Sequence, residues 1–389
     1  MPHVQPEPGA LFELATARIR RVAAEQWPGE PVTLGTHVPS VTGYVRRVHL
    51  GGRELFAKDS VLGLSLVSVL RGVAGSGDQV REAQSSYASS PTSLLAREAA
   101  QLRALDAAGI RVGYRSGVLF TDAVSGPSLL DLITKDPGRT ADLMSGALRG
   151  LAALQSPTVA AVADTIPIAE RGIDATFRRK FNGISGRAYV TRLGVDRLDE
   201  RARRGAVAVL GVVVSRLLKL RLLPAPGPCL VVYGDLKPEH VLFPDGPDEQ
   251  PVYIDPGLSR GGDHQDTTKL ASRALLAVIA TPPPDGAVLV VEGIDAFVHL
   301  QARHIGRAER GMWLRRLMVT WLMDSVNILS TCLAAPYALP LPEHALAVVD
   351  STPVLCTVLD SVSATLAAGT EPEVAWRLAL ACVTRAATR

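Results

Sequence analysis

Residues 231–257 read VVYGDLKPEHVLFPDGPDEQPVYIDPG. Leu230-Val231-Val232-Tyr233 leads into the polar stretch Gly234-Asp235-Leu236-Lys237-Pro238-Glu239-His240, and a second apolar run, Val252-Tyr253-Ile254, delivers Asp255. Short β-branched and aromatic runs bounded by Gly, Pro and Asp read as strands. Pro244-Asp245-Gly246-Pro247 reads as the turn that joins Val241-Leu242-Phe243 to the second run. Turn preference explains Asp245-Gly246, but not two further acids, Asp235 and Asp255, at the ends of strand-like segments 20 residues apart. That arrangement suits phosphoryl transfer: one carboxylate orients an attacking hydroxyl and accepts its proton, and another holds the magnesium ions that bridge nucleotide phosphates. Lys237 stands where it would screen the moving phosphate, and His240 falls at the position of a further metal contact.

Asp235-Leu236-Lys237-Pro238-Glu239-His240-Val241-Leu242-Phe243 followed by Tyr253-Ile254-Asp255-Pro256-Gly257 resembles the catalytic and metal loops of the aminoglycoside phosphotransferase-like family, small-molecule kinases with the protein-kinase fold. Where that family usually shows His-Gly-Asp, an Asn five residues on and Asp-Phe-Gly, this chain has Tyr233, His240 and Pro256. The resemblance implies an α/β (α+β) bilobal, protein-kinase-like fold. A small five-stranded antiparallel N-lobe would occupy residues 1–124. A larger, mainly helical C-lobe over 125–389 would carry the catalytic loop 233–243, the metal loop 253–257 and a helical substrate region. It implies ATP and Mg2+ as cofactors, the nucleotide lying between the lobes, with Asp235 and Lys237 catalytic and Asp255 and His240 at the metal. Magnesium prefers oxygen ligands, so three roles stay open for His240: metal ligand, phosphate contact, or hydrogen-bond partner of Asp235.

The N-terminal part carries matching signals. Residues 10–27 have helical periodicity, and strands are predicted at 31–36, 44–50 and 53–58, the last two joined by Gly51-Gly52. Lys58 ends the third strand at the place of the family's phosphate-binding lysine. The loop from Thr36 to Tyr44, with Ser40, Thr42 and Gly43, would cover the phosphates. Val61–Ala74 is helix-compatible. Residues 75–91, rich in Ser, Gly and Gln, read as a mobile insert. A helix from an N-capping Ser93 to near Gly109 carries Glu98, the expected ion-pair partner of Lys58. Two more strands, 111–114 and 117–120, lead to a hinge-like stretch, Thr121–Gly126, where backbone groups around Asp122 would read the adenine edge.

Helices are expected from Pro127, with the proline in the first turn, over 141–154, over 206–223 as support behind Asp235, and through most of 267–388. Asp266 reads as a helix N-terminal acid that caps and stiffens the loop before it. Residues 170–221 hold thirteen Lys or Arg against five Asp or Glu, densest at Arg178-Arg179-Lys180 and Arg201–Arg204. Either these are solvated helix faces or they form a surface for an acidic partner.

Bulk properties narrow the class. At 389 residues and 47% hydrophobic the chain can bury a large core, and its net charge of +3 does not by itself imply a polyanion. Aromatics at 5% argue against a stacking platform for nucleic acid. Four dispersed cysteines without a Cys-x-x-Cys pair read as free thiols of a reducing, cytoplasmic compartment. No apolar run is long enough for a membrane span, and His299 and His304 lack zinc-ligand spacing. The first expectation is a kinase for a hydroxyl of a small molecule, such as an antibiotic or secondary metabolite. Two alternatives stay open: a kinase for Ser or Thr of a ribosomal precursor peptide, and a nucleotide-binding pseudokinase. The basic segment suits an acidic acceptor in either enzyme, and the sequence leaves the oligomeric state open.

Overall fold

Strands β1 (Val32–Val38), β2 (Tyr44–Leu50), β3 (Arg53–Asp59), β4 (Val112–Arg115) and β5 (Val118–Asp122) form one antiparallel sheet in the order β1-β2-β3-β5-β4. The structure is a computed structural model that describes residues 7–105, 110–221 and 229–389. The chain divides into two units: residues up to Val124 together with Ala334–Pro342, and Ser125–Leu333 together with Glu343–Arg389.

In the first unit, helix α1 (Pro8–Gln26) buries Leu11, Ala15, Ile19 and Val22, a stripe at helical spacing. That stripe covers Tyr44, Val48, Leu55, Ala57 and Phe120 on one face of the sheet. A short α2 (Leu66–Leu70), then α3 (Gly77–Ser89) and α4 (Leu94–Ala104) follow β3. The opposite sheet face, at Leu119, packs on Leu95, Ala99 and Leu102 of α4. Side chains alternate along β3. Leu55, Ala57 and Asp59 are buried toward α1, which leaves Lys58 on the α4 side. The Asp59 carboxylate accepts two hydrogen bonds from Arg18 of α1, at 2.8 and 3.0 Å.

Within residues 75–91, whose composition reads as a mobile insert, Gly77–Ser89 form α3. Their polar composition serves as caps: the Ser76 hydroxyl accepts from Gln79 N, and the Gln79 side chain accepts from Ser76 N. Buried Gln84 accepts from Leu62 N at 2.7 Å and donates to Ser60 O at 2.9 Å, closing the polar ends of the loop after β3. Ser93 precedes α4 but does not cap it; its hydroxyl pairs with Tyr114 Oη at 2.9 Å. The expected end of that helix near Gly109 lies outside the described residues.

The second unit is mostly helical. It contains α5 (Leu129–Lys135), α6 (Thr140–Arg149), α7 (Pro157–Thr165), α8 (Ile173–Phe181), α9 (Gly183–Thr191) and α10 (Glu200–Leu220). The short strand pairs and the helices α11 (Gln265–Ala280), α12 (Ala287–Gln301), α13 (Arg307–Leu333), α14 (Glu343–Asp350), α15 (Thr352–Ala367) and α16 (Pro372–Ala387) follow. Pro127 lies outside α5; Ser128 caps it reciprocally with Asp131, so the proline sets the entry, not the first turn. The helix expected over 141–154 stops at Arg149. Tyr253 Oη packs where a side chain at Gly150 would stand and donates to Ala147 O at 2.6 Å, and a 3-10 turn, Ala152–Gln155, follows. α10 begins earlier than expected because Asp199 accepts from Ala202 N; the expected end at Leu223 lies outside the described residues.

α10 packs chiefly on α15 and α13. The support behind Asp235 comes instead from α11, which is buried on nearly every side between α13, α12 and α14. A helix buried all round is the centre of its unit, and burying Leu270, Leu275 and Ile279 there contributes about 1.5–3 kcal/mol each. Among the described residues no single helix is long and apolar enough to cross a membrane.

Gln84 offers a direct check on the helical insert. Gln84→Leu keeps the volume but leaves Leu62 N–H and Ser60 C=O unpaired in a buried place. We expect a loss of about 1–3 kcal/mol in urea unfolding; a change under about 0.5 kcal/mol, the size of an ordinary surface substitution, would mean that the helix does not hold this loop.

Candidate active site

β6 (Leu230–Val232) runs into the core and pairs with β9 (Ser259–Gly261), a strand that the sequence did not suggest. Between them β7 (Val241–Leu242) and β8 (Val252–Tyr253) make the expected hairpin. The loops carrying Asp235 and Asp255 are thereby stitched together along their backbones. Gly257 N donates to Tyr233 O at 2.9 Å and Ile254 N to His240 O at 3.0 Å. Tyr233 adds a third tie, its phenol donating to Ile254 O at 2.8 Å. The approach is so close that a Cβ on Gly234 would lie 2.3 Å from Gly257 O. Gly234 also has φ of +80°, which only glycine adopts freely.

Asp266, in the first turn of α11, does not cap its own helix. Its carboxylate accepts from Tyr233 N at 2.8 Å and Gly234 N at 2.9 Å, fixing the turn that aims Asp235. Burial pushes Asp266 up to about 6, against those two donors and Lys269.

The carboxylate of Asp235 sits between two lysines. Lys237 Nζ lies 2.9 Å from Oδ2 and Lys269 Nζ lies 3.3 Å from Oδ1. Burial would raise Asp235, but Lys237, Lys269, His240 and Arg171 outweigh it and hold the group well below the usual carboxylate range. Burial likewise pushes Lys237 down, with Asp235 opposing. Lys269 is shared with buried Asp324 of α13 at 2.9 Å, and Asp324 also accepts from Arg273 Nε at 2.9 Å and Ser272 Oγ at 2.6 Å. This second layer was not foreseen. A signal existed: Lys269 and Arg273 stand four apart in an apolar helix, and Asp324 interrupts another. Charges at such places require partners.

Asp255 has φ of +59°, an unusual conformation for a non-glycine residue though one that Asp tolerates better than most. His240 Nε2 lies 3.7 Å from Asp255 Oδ2. The ring thus faces Asp255, and its charge also helps hold Asp235 low. Pro256 O accepts from Arg171 Nη1 at 2.8 Å, which anchors the second loop to the segment before α8. As for a metal, Asp255 offers the oxygen that magnesium prefers and His240 does not. Among the described residues no three His, Cys, Asp or Glu side chains group as a ready cation site. Of the two, Asp255 is the residue whose chemistry could hold magnesium.

In the first unit Lys58 Nζ pairs with Glu98 Oε1 at 3.0 Å, Glu98 being fully buried on α4. Ser40, Thr42 and Gly43 lie in a short loop between β1 and β2. The Ser40 hydroxyl accepts from Thr42 N at 3.2 Å, so it shapes the loop itself, and Thr42 O accepts from Leu66 N at 3.2 Å. Gly43 has no positive φ. Asp122 is held by Arg53 at 2.7 Å and Arg111 at 3.1 Å, arginines that keep its carboxyl low despite partial burial. Its side chain is thus engaged within the sheet.

No protein-family model matches the chain, and no curated protein matches it. Among solved structures it is similar to an aminoglycoside-3'-phosphotransferase of type VIII, at 22% identity over 79% of this chain and 99% of the other, with a TM-score of 0.41. It is also similar to an amicoumacin kinase (13% identity, 91% and 94% covered, TM-score 0.48) and a spectinomycin phosphotransferase (10% identity, 95% and 98% covered, TM-score 0.46).

Lys269→Met would leave Asp235 and Asp324 facing each other with one cation fewer. We expect roughly 3–5 kcal/mol of destabilisation in urea, and a loss below about 1 kcal/mol would remove Lys269 from the network. The depressed Asp235 also fixes a sign. The stability contributed by its ionised form is complete above the ordinary value of 3.8 and is lost only as pH falls through the lower folded value. The stability difference between the protein and its Asp235→Asn variant should therefore stay constant from neutral pH down to that ordinary value. A difference that already shrinks near pH 6 would contradict the double-lysine clamp.

Proposed function

We propose that the chain is an ATP-dependent phosphotransferase that moves the γ-phosphate to a hydroxyl of a small molecule. The observation that carries this reading is the pair of backbone-stitched acidic loops, one presenting an ionised Asp235 between two lysines and the other presenting Asp255 beside His240.

The roles follow from the charges. Asp235 accepts a hydrogen bond from the acceptor hydroxyl and so orients its oxygen toward the γ-phosphorus. The new O–P bond forms as the bond from that phosphorus to the β-bridging oxygen breaks, and ADP leaves. A carboxylate held so far below its usual range is a weak base, so the hydroxyl proton passes late, when the transferring group is already loosely bound to both oxygens. Lys237 supplies positive charge beside the moving phosphoryl group. Lys269, sealed from solvent, sets the position and charge of Asp235. Asp255 would hold magnesium, which supplies charge neutralisation of the phosphates when bound. On the other unit Lys58, paired with Glu98, is assigned to the nucleotide phosphates, with the Ser40–Gly43 loop offering backbone N–H groups.

The test is a panel of hydroxylated small molecules incubated with MgATP and read by mass spectrometry for the gain of one phosphoryl group. Asp255→Ala should abolish the magnesium-dependent part of nucleotide binding, seen by calorimetry with a non-hydrolysable ATP analogue. Product with a small-molecule acceptor supports the reading. Tight nucleotide binding without any product, small-molecule or peptide, would turn it into the pseudokinase alternative, and no nucleotide binding would overturn it.

A further inference from the structure

The two acidic loops meet a third segment, the turn Ala169–Arg171 that leads into α8, and all three lie within the second unit. Ile168 N donates to Leu258 O at 2.9 Å, which lays this turn along the chain just beyond Gly257. The Arg171 side chain closes the arrangement. Its Nη1 donates to Pro256 O at 2.8 Å. Its stem runs so close to Gly257 that a Cβ added there would lie 3.4 Å from both Cβ and Cδ of the arginine.

That contact falls beside the strained part of the loop. Asp255 has φ of +59°, a left-handed conformation that costs free energy in a residue with a Cβ. The next residue is a proline, whose ring pushes the residue before it toward extended backbone. Asp255 therefore stands against two preferences at once, and such a conformation lasts only where its surroundings over-determine it. On either side it is flanked by backbone bonds to the first acidic loop, from Ile254 N to His240 O and from Gly257 N to Tyr233 O. Pro256 itself has no N–H, so its carbonyl is the one main-chain polar group through which it can be tied. The bond from Arg171 takes that carbonyl, and it comes from a side chain outside both loops. The same guanidinium is among the cations that hold Asp235 low.

We propose that Arg171 is a positioning residue: by holding the Pro256 carbonyl it keeps Asp255 in its left-handed conformation, and it thereby sets how much magnesium adds to nucleotide affinity. The proposal rests on the phosphotransferase reading for the metal, though not for the hold on the loop. An arginine suits the place because its planar fork donates to the carbonyl while its methylene stem covers Gly257. A lysine keeps the charge and loses the fork.

The experiment has two arms. In the first, residue-resolved hydrogen exchange of Ile254 and Gly257 is followed without nucleotide or metal. Arg171→Met should speed exchange at these amides at least roughly tenfold, the loss of one hydrogen bond from a charged donor, while amides of α16 keep their rates and so certify the fold. With Pro256→Ala as the background, Arg171→Met should have a clearly smaller effect, because the restraint that the arginine opposes is gone. In the second arm, the non-hydrolysable ATP analogue is titrated by calorimetry with and without magnesium. Arg171→Met should cut the magnesium-dependent gain in affinity at least roughly tenfold and leave the metal-free affinity unchanged, and Arg171→Lys should keep part of the gain. Should Arg171→Met fail to fold, Arg171→Gln replaces it, with the same directions expected. An unchanged magnesium gain overturns the proposal whatever the exchange shows. An equal loss of affinity with and without metal also overturns it, since that marks general loosening. So does an undiminished effect in the Pro256→Ala background. A protein that shows both effects yet phosphorylates no acceptor keeps the role of Arg171 and refutes the phosphotransferase reading. One that phosphorylates an acceptor while Arg171→Met changes neither arm keeps that reading and refutes the role.

Discussion

An ionised carboxylate that has lost most of its water must be held by fixed charges, and here that carboxylate is Asp235. Two lysines contact it, and the deeper one is itself balanced by Asp324, whose carboxylate also accepts from Arg273 and Ser272. Such a network is stable only when every member is satisfied, so α11 and α13 cannot shift relative to the loop without stranding a charge. The same constraint explains why the centre of the second unit is a helix that is apolar almost throughout yet carries Asp266, Lys269 and Arg273 on the side that meets the loop. Asp266 fixes the backbone before Asp235, Lys269 fixes the Asp235 side chain, and Arg273 fixes the counter-charge on Asp324.

At two positions where the acidic loops differ from the pattern they resemble, the structure gives a physical reason. Tyr233 stands where a histidine is usual, and it is fully buried. Its backbone and phenol tie the first acidic loop to α11 and to the second loop. Pro256 lacks an N–H, and the tie it cannot make is made by its neighbour Gly257 to Tyr233 O, while its carbonyl is taken by Arg171. His240 is the chemically distinctive difference, an imidazole facing Asp255.

Much of the fold was legible because its signals are local. Alternation along 44–50 and 53–58, the Gly51-Gly52 turn and the helical stripe of residues 10–27 each name one element, and each forms within a residue or two of its expected span. The Lys58–Glu98 ion pair forms despite the 40 residues between the partners. What stayed hidden depends on long-range partners. Composition marked 75–91 as a mobile insert, and nothing nearby reveals the helix within it, that Gln84 closes the backbone of residues 60–62 or that Ser76 caps. β9 has only three residues, Ser259-Arg260-Gly261, and exists because β6 lies beside it. The second-layer charges of the site lie 34 to 89 residues beyond Asp235, and periodicity assigns them to helices without saying that they meet it.

The central claim is that Asp235, clamped between Lys237 and Lys269, orients the hydroxyl that receives the γ-phosphate. The most direct test follows MgATP and an acceptor mixture by phosphorus NMR with the protein and with Asp235→Asn. The account predicts ADP and a new phosphoester signal with the protein, a loss of roughly 10²–10⁴-fold in rate with the variant, and equal affinity of the two for the ATP analogue. Equal rates of phosphoester formation by both would contradict it.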